Sequence, residues 1–161
     1  MAIRDIIKDG DPALRKRSRE VSVFGERLHT LLDDMAETMA SVNGVGLAAV
    51  QVGVLRRVAI VDAGDGLVEL INPEIAEISD EKQTGAEGCL SLPGWYGTVE
   101  RPMRVIVRAQ DRSGNPIEVV GEELKARALC HEIDHLEGVM FQDHATDMCE
   151  ISDDDEDPDE D

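Results

Sequence analysis

The chain has 161 residues, of which 42% are hydrophobic, and this is enough for the core of one ordinary domain. Its net charge of -19 argues against direct binding to nucleic acid, because phosphate groups repel a surface of the same sign. The sequence has no run of 18 apolar residues and no apolar segment of the signal-peptide type at its start, so we expect a cytoplasmic protein without a membrane span.

The first third of the chain predicts two helices. Asp11 followed by Pro12 is a typical helix start, with a side chain that can cap the first turn and a proline at the first helical position. A longer amphipathic helix is expected over residues 25–42, because apolar residues recur at three- and four-residue steps, and the Asn-Gly pair at 43–44 ends it. The apolar face of this helix consists of Leu28, Leu31, Leu32, Met35 and Met39.

The middle of the chain is typical of short strands followed by a helix. Six segments rich in Val and Ile are separated by Gly, Asn, Asp and Pro, with the clearest turns at 72–73 and 113–116. A second helix is expected from about 122 to 137. Strands and a helix without regular alternation indicate an α+β fold, in which short mixed or antiparallel strands surround a central helix. The predicted strands span 57–61, 67–71, 74–79, 97–100, 104–109 and 117–120.

The end of the chain differs from the rest in composition. Residues 153–161 contain eight acids and no base, so they have no apolar surface to bury and their charges repel one another. We therefore expect a folded body over residues 1–148 and a disordered acidic tail over residues 149–161. The tail could improve solubility or recruit a partner, and we favour the first because charge runs are usually solvated.

The second predicted helix carries the pattern His-Glu-x-x-His. His131 and His135 are four residues apart, so their rings lie one turn apart on one helix face and can bind one metal ion. Glu132 can reach a water molecule on such an ion, and it can accept and return a proton. The alternative interpretation is a pair of helix histidines with ordinary polar roles.

A catalytic metal usually has three protein ligands, so a third ligand is needed. The residues after His135 lack the glycine and third histidine of the longer protease signature. The best candidate is Cys89, which lies in the segment 87–94, Glu-Gly-Cys-Leu-Ser-Leu-Pro-Gly, where glycines permit close approach and Pro93 indicates an edge or a loop. Two alternatives stay open: a cysteine of the core, or a nucleophilic cysteine, which would leave the second histidine and Glu132 without a role.

The other two cysteines have plainer interpretations. Three cysteines without close spacing make a poor disulfide framework, so each is judged by its own position. Cys130 falls about 100° around the helix from His131 and is expected in the core. Cys149 borders the acidic tail and is expected to be an exposed thiol.

A third segment, residues 44–51, reads Gly-Val-Gly-Leu-Ala-Ala-Val-Gln. Its small residues permit close approach of the backbone to another backbone or to a ligand, and it lacks the lysine and the spacing of a phosphate loop. Gln51 offers an amide donor that could stabilise an oxyanion. Taken alone, the segment is better explained by tight packing after a helix.

Together, the three segments resemble the peptide deformylase family. Its motifs are Gly-x-Gly-hydrophobic-Ala-Ala-x-Gln, Glu-Gly-Cys-hydrophobic-Ser and His-Glu-x-x-His-hydrophobic, and all three occur here in this order. Residues 10–15 also look like the usual N-terminal segment of the family, so the resemblance covers about residues 3–143. It implies an enzyme that removes the N-formyl group from the N-terminal methionine of newly made polypeptides and releases formate, with residues 1–148 as its catalytic domain.

The resemblance implies a metal centre. Cys89, His131 and His135 would hold one divalent ion, and Glu132 would act as the general acid and base. Family members usually carry iron(II) in the cell, whereas a thiolate beside two imidazoles also suits zinc, nickel or cobalt.

The resemblance also implies substrate contacts. Gln51 and the backbone N–H of Leu90 would stabilise the oxyanion. Arg127 stands where an apolar residue of the methionine pocket is expected. The other implied contacts are, for the peptide backbone as an added strand, Val45, Gly46 and Gly88 and, for the methionine side chain, Leu124 and Ala128.

The expected partners are N-formylmethionyl nascent peptides, with no direct nucleic-acid or membrane binding. Some bacterial family members end in a basic helix that docks on ribosomal RNA, and this chain carries acids there instead. We therefore expect weak or absent binding to the ribosome.

Two rival interpretations stay open. A metalloprotease with the same helix motif would cut internal peptide bonds and would not need Cys89. A metal-dependent binding module would use Glu132 only as a structural residue. Assays of formyl-Met peptides beside a generic protein, and of the variant Glu132→Ala, distinguish these interpretations.

Overall fold

Both long helices predicted from the sequence are present in the computed structural model, which describes residues 2–151. Helix α1 spans Glu26–Ser41 and helix α2 spans Leu124–Leu136. All five apolar residues of the predicted face of α1 are buried. The chain leaves α1 as expected, since the N–H of Gly44 donates to the carbonyl of Met39. The 3.6-residue periodicity therefore located each helix end to within two residues.

Eight strands and three short 3-10 helices complete the described part of the chain. The strands form two antiparallel sheets, one of five strands in the order β1-β2-β3-β6-β7 and one of three in the order β4-β5-β8. The strands are β1 Gly46–Ala48, β2 Val58–Val61, β3 Val68–Ile78, β4 Lys82–Cys89, β5 Leu92–Pro102, β6 Arg104–Gln110, β7 Pro116–Glu122 and β8 Thr146–Glu150. The 3-10 helices are Pro12–Arg15, Ala49–Val52 and Phe141–Asp143.

The turn predicted at residues 72–73 is wrong, because β3 continues through it. Asn72 has a left-handed backbone conformation with φ of 52°, and the strand register shifts just after Ile71. The Asn72 side chain accepts a hydrogen bond from the N–H of Val21 and donates to the carbonyl of Val21 and to Gln110. The asparagine thus makes a bulge within one long strand instead of ending it.

The three-stranded sheet extends beyond the boundary expected at residue 148. In β8, Cys149 pairs with Tyr96 and Glu150 pairs with Trp95, both in β5. The N–H of Ile151 then donates to the carbonyl of Gly94 over 2.6 Å. The residues from 152 onward, which carry most of the predicted disordered tail, lie outside the described residues.

Helix α2 occupies the centre of the fold, with ten of its thirteen residues buried. It packs on strands of both sheets, including β1, β2 and β7 of the larger one and β5 of the smaller one. Helix α1 packs against β1 and β2 on another side, and its apolar face forms a separate core cluster with them. The expected α+β class with a central helix is confirmed. In residues 2–151, no helix has the length and apolar character required to cross a membrane.

Candidate active site

Two imidazole rings on α2 face each other in the protein interior. His131 and His135 lie one turn apart, with ring centroids separated by 4.8 Å in an edge-to-face arrangement. Their Nε2 atoms approach to 3.2 Å. Both rings are at least nine-tenths buried, and burial holds the pKa of His135 well below its usual range, which favours the neutral form that binds metals.

A thiol from a distant strand completes this group. Cys89 is the last residue of β4 before a two-residue turn, and it is half-buried rather than part of an exposed loop. Its Sγ lies 3.3 Å from Nε2 of His135. The three donor atoms of Cys89, His131 and His135 all lie within 4.8 Å of one another. One sulfur and two imidazole nitrogens make a donor set that fits a divalent transition metal ion.

The remaining two cysteines lie away from this group. Cys130 is on α2 and buried in the core, and Cys149 is exposed on β8, as predicted for both. Burial raises the pKa of the Cys130 thiol to about 11, so it stays protonated and unreactive at neutral pH.

Glu87 orients His131, and sequence reasoning missed this role. Nδ1 of His131 lies 2.7 Å from Oε2 of Glu87, so Nδ1 carries the proton and Nε2 is left to face the other donors. Burial alone would raise the pKa of Glu87, but hydrogen bonds from His131 and Arg101 outweigh burial and hold the pKa well below its usual range. Glu87 lies two residues before Cys89 in β4, and period-two alternation could have placed it on the same side of the strand.

Two arginines hold the Glu87 carboxylate in place. Arg101 on β5 makes two hydrogen bonds to it, of 2.7 and 3.1 Å, and also pairs with Asp134 of α2 at 2.8 Å. Arg127 of α2 donates to Oε1 of the same carboxylate over 2.8 Å. Position 127, where an apolar residue is expected, thus carries a buried arginine whose charged head binds Glu87.

Glu132 follows His131 on α2 and lines the same cleft. The side chain is buried, and Oε1 has no hydrogen-bond partner among the described residues. Burial raises the pKa of Glu132 to about 7. A carboxyl group whose pKa lies near the working pH can both accept and release a proton, which is what a general acid-base group must do.

The amide of Gln51 points towards the sulfur of Cys89. Its Oε1 accepts from the N–H of Ala48 at 2.9 Å, which fixes the orientation of the amide. Its Nε2 donates to Oγ of Ser91 at 3.1 Å and lies 3.6 Å from Sγ of Cys89. Gln51 is thus a buried, oriented donor at the site, and tight packing alone does not account for it.

A cleft of about 610 Å³ opens onto this group of residues. Gln51, Cys89, Leu90, His131 and Glu132 all line it, whereas His135 lies fully buried behind them. The five residues expected to contact substrate, Val45, Gly46, Gly88, Leu124 and Ala128, line it as well. Trp95 and Tyr96 stand at its edge, next to the Cys89 turn.

Comparison with known proteins places the chain in a family. The family model described as polypeptide deformylase matches residues 3–150. A peptide deformylase from Acetivibrio thermocellus is 62% identical over 143 residues, which cover 89% of this chain and 84% of the relative.

Solved structures give the same result. The crystal structure of a peptide deformylase from Thermotoga maritima superimposes with a TM-score of 0.88 at 42% identity, covering 91% of this chain and 99% of that one. A peptide deformylase from Synechococcus elongatus in complex with actinonin superimposes with a TM-score of 0.86 at 39% identity, covering 89% and 79%. The chain therefore belongs to the polypeptide deformylase family, the metal-dependent hydrolases that remove the N-formyl group from the start of polypeptides.

Proposed function

We propose that Cys89, His131 and His135 hold the divalent metal ion of this deformylase and that Glu132 is its general acid and base. The observation that carries the proposal is the convergence of one Sγ and two Nε2 atoms, all within 4.8 Å of one another, beside a buried carboxyl group with a free oxygen. A bound divalent ion would supply Lewis-acid chemistry there, polarising a carbonyl group and making water more acidic.

The ion that we propose for the cell is iron(II). A donor set of one thiolate and two imidazoles is compatible with iron, zinc, nickel and cobalt, so purified protein can contain any of them. The resemblance to the deformylase family favours iron(II). Metal analysis of protein purified without oxygen, combined with a formate-release assay, tests this assignment.

Glu132 carries the proton through the proposed reaction. As a water molecule attacks the formyl carbon, the Glu132 carboxylate accepts one of its protons. When the bond between that carbon and the amine nitrogen breaks, Glu132 returns the proton to the nitrogen. Formate and a free amino group result. A pKa of about 7 suits both transfers at neutral pH.

Gln51 and Leu90 are proposed to stabilise the negative charge that develops on the formyl oxygen. The Gln51 amide is already oriented by Ala48, and the proton of its Nε2 that faces Sγ of Cys89 would turn to the oxyanion. The backbone N–H of Leu90 belongs to the two-residue turn that follows Cys89.

The substrate peptide is proposed to lie between two strand edges. β1 and β4 each stand at the end of their sheet in the described part of the chain, and residues of both line the cleft. Val45, Gly46 and Gly88 would offer backbone groups to an added strand. Leu124 and Ala128, on the side of α2 that faces the cleft, would contact the methionine side chain.

The variant Glu132→Gln tests the reaction as proposed. It keeps the size of the side chain and removes its ability to accept a proton, so formate release from a formyl-Met peptide should fall by about 100-fold or more while metal content is unchanged. Unchanged turnover would remove Glu132 from the mechanism. Cleavage of a generic protein by the wild type, without formate release from formyl-Met peptides, would favour the metalloprotease instead.

The cellular setting is proposed from sequence and charge. We infer that the enzyme acts in the cytoplasm on nascent chains and binds neither nucleic acid nor ribosomal RNA tightly, because the chain is strongly acidic. Residues 1–148 would form the catalytic domain, and the acidic tail would be a solubilising segment. The strand pairs that Cys149 and Glu150 make with β5 extend the fold beyond this boundary. Tight, salt-sensitive cosedimentation with ribosomes would contradict this inference.

A further inference from the structure

Arg127 has an unusual position for a buried charged residue. It lies on α2 one turn before His131 and is only 8% exposed. Like Leu124 and Ala128 of the same helix, it lines the cleft. Its Nη1 donates to Oε1 of Glu87 over 2.8 Å and to the carbonyl of Val99 over 3.1 Å. The guanidinium head is therefore bound to β4 and β5.

Arg127 and His131 bind the same carboxylate, that of Glu87. Arg127 binds Oε1 and His131 binds Oε2, so two residues one turn apart on α2 hold a single carboxylate of β4. This carboxylate lies two residues before Cys89 in the same strand. A shift of Glu87 would move the ring of His131 relative to the sulfur.

The charge balance around Glu87 requires a second arginine in addition to Arg101. Arg101 binds Glu87 with Nε and Nη2, but its third nitrogen, Nη1, pairs with Asp134 at 2.8 Å. One guanidinium therefore serves two carboxylates, and Arg127 adds the second positive charge. A buried carboxylate needs such compensation to remain ionised and fixed in place.

We propose that Arg127 is a positioning residue for the metal centre. Its head holds Glu87, and Glu87 in turn orients His131. The inference rests on the proposed assignment of Cys89, His131 and His135 as metal ligands. It explains how a charged residue can occupy a position where an apolar one is expected.

The variant Arg127→Met tests this role, because methionine keeps an unbranched stem and has no charged head. In cobalt(II)-loaded protein, transfer of the metal to EDTA is followed by loss of the thiolate-to-cobalt absorption. We expect release from the variant to be about 10-fold faster than from wild type, as for loss of other residues that orient metal ligands. In the enzyme assay, kcat should fall while KM for a formyl-Met peptide changes by less than about twofold, because the change acts through Glu87 on the metal centre and leaves the other residues that line the cleft in place.

Lys125→Met is the matched control, with the same charge change on the same helix. The amine of Lys125 pairs with Asp65, away from the cleft, so its metal release and kcat should equal those of wild type. Wild-type release from Arg127→Met would overturn the proposal. If that variant does not fold, Arg127→Lys replaces it. The lysine side chain is one atom shorter, so its amine cannot reach the position of Nη1, and wild-type release from this variant would also refute the proposal. Absence of the thiolate-to-cobalt band in wild type would instead contradict the ligand assignment itself, so the two failures are distinguishable.

Discussion

The backbone of Gly46 lies directly against the carboxyl group of Glu132. A Cβ atom built on Gly46 would come within 2.5 Å of Oε2, 2.9 Å of Cγ and 3.0 Å of Cδ of Glu132. Because three atoms of the carboxylate side chain are involved and the side chain is buried, the contact cannot be relieved by a small rotation into solvent. The absence of a side chain at Gly46 thus leaves room for Glu132, the proposed general base.

The variant Gly46→Ala should displace Glu132 and reduce kcat by about 100-fold, which is at the lower end of what general acid-base catalysis contributes. Formate release measured under saturating peptide checks this expectation. Gly25→Ala is the control, because its Cβ would meet only Cγ1 of Val23 at 3.9 Å and should leave kcat unchanged. A Gly46→Ala enzyme with wild-type kcat would show that the close approach has no catalytic role.

The three cysteines should react with iodoacetamide in a defined order. Cys149 is exposed and should react first, whereas Cys130 is buried with a thiol pKa of about 11 and should react only after unfolding. Cys89 should be protected while a metal ion is bound and become reactive after chelation. Mass spectrometry of peptides, with Cys149→Ser as a control for the first site, measures the order. Equal labelling of Cys89 with and without metal would contradict its role as a ligand.

Replacement of Glu87 by glutamine should destabilise the metal-free protein by about 3 kcal/mol at pH 7, because it leaves two buried guanidinium groups without their carboxylate. Urea unfolding in the presence of a chelator measures this difference. The exposed Glu100 provides the control, and Glu100→Gln should change stability by less than about 0.5 kcal/mol.

The effect of Glu87 should also depend on pH. Its pKa in the folded state lies well below the ordinary value of 4.5, so the carboxylate stabilises the fold fully above that value. The stabilisation is lost progressively as the pH falls towards the folded-state pKa. The difference in unfolding free energy between wild type and Glu87→Gln should therefore decrease below about pH 4. A difference that stays constant from pH 7 to pH 3 would refute this explanation.

The end of α2 is held by a buried arginine. Nη1 of Arg57 lies 2.6 Å from Glu137 and donates to the carbonyl of Leu136 at 3.2 Å, and the Arg57 side chain is 9% exposed. Arg57→Met should cost about 2 kcal/mol of unfolding free energy, since a helix-end carbonyl and a carboxylate each lose one buried donor. Arg17 pairs with the same glutamate but is 71% exposed, so Arg17→Met should cost at most about 0.5 kcal/mol. Urea unfolding measures the loss of unfolding free energy in each variant. Equal losses would show that burial of the arginine does not determine how much its ion pair contributes to stability.

Local patterns predicted the helices and the motif residues but not all strands. The apolar face of α1 and the His-Glu-x-x-His pattern of α2 repeat at helical spacing, so each could be recognised without knowledge of the fold. β4 and β8 were missed because their sequences, Lys-Gln-Thr-Gly-Ala-Glu-Gly-Cys and Thr-Asp-Met-Cys-Glu, lack apolar alternation. Both become strands by pairing with β5, which is distant from β8 in sequence. Such pairing has no local signature.

The contacts that hold the proposed metal ligands in place could not be predicted from local sequence either. Glu87 and Arg127 lie 40 residues apart, and Arg101 comes from a strand between them. A buried arginine is unfavourable by residue type and becomes favourable only once a carboxylate from another element is placed next to it. The sequence motifs thus predicted which residues face the cleft, whereas the contacts that orient them required the tertiary structure.

The hydrogen bond from Ile151 to Gly94 has a practical consequence for anyone who labels this enzyme. Gly94 lines the cleft, so Ile151, the last residue that the structure describes, lies beside the cleft. A fluorophore, affinity handle or fusion partner attached there would compete for space with incoming peptides. Val23, which is 76% exposed and does not line the cleft, is a better point of attachment for surface immobilisation or spectroscopy.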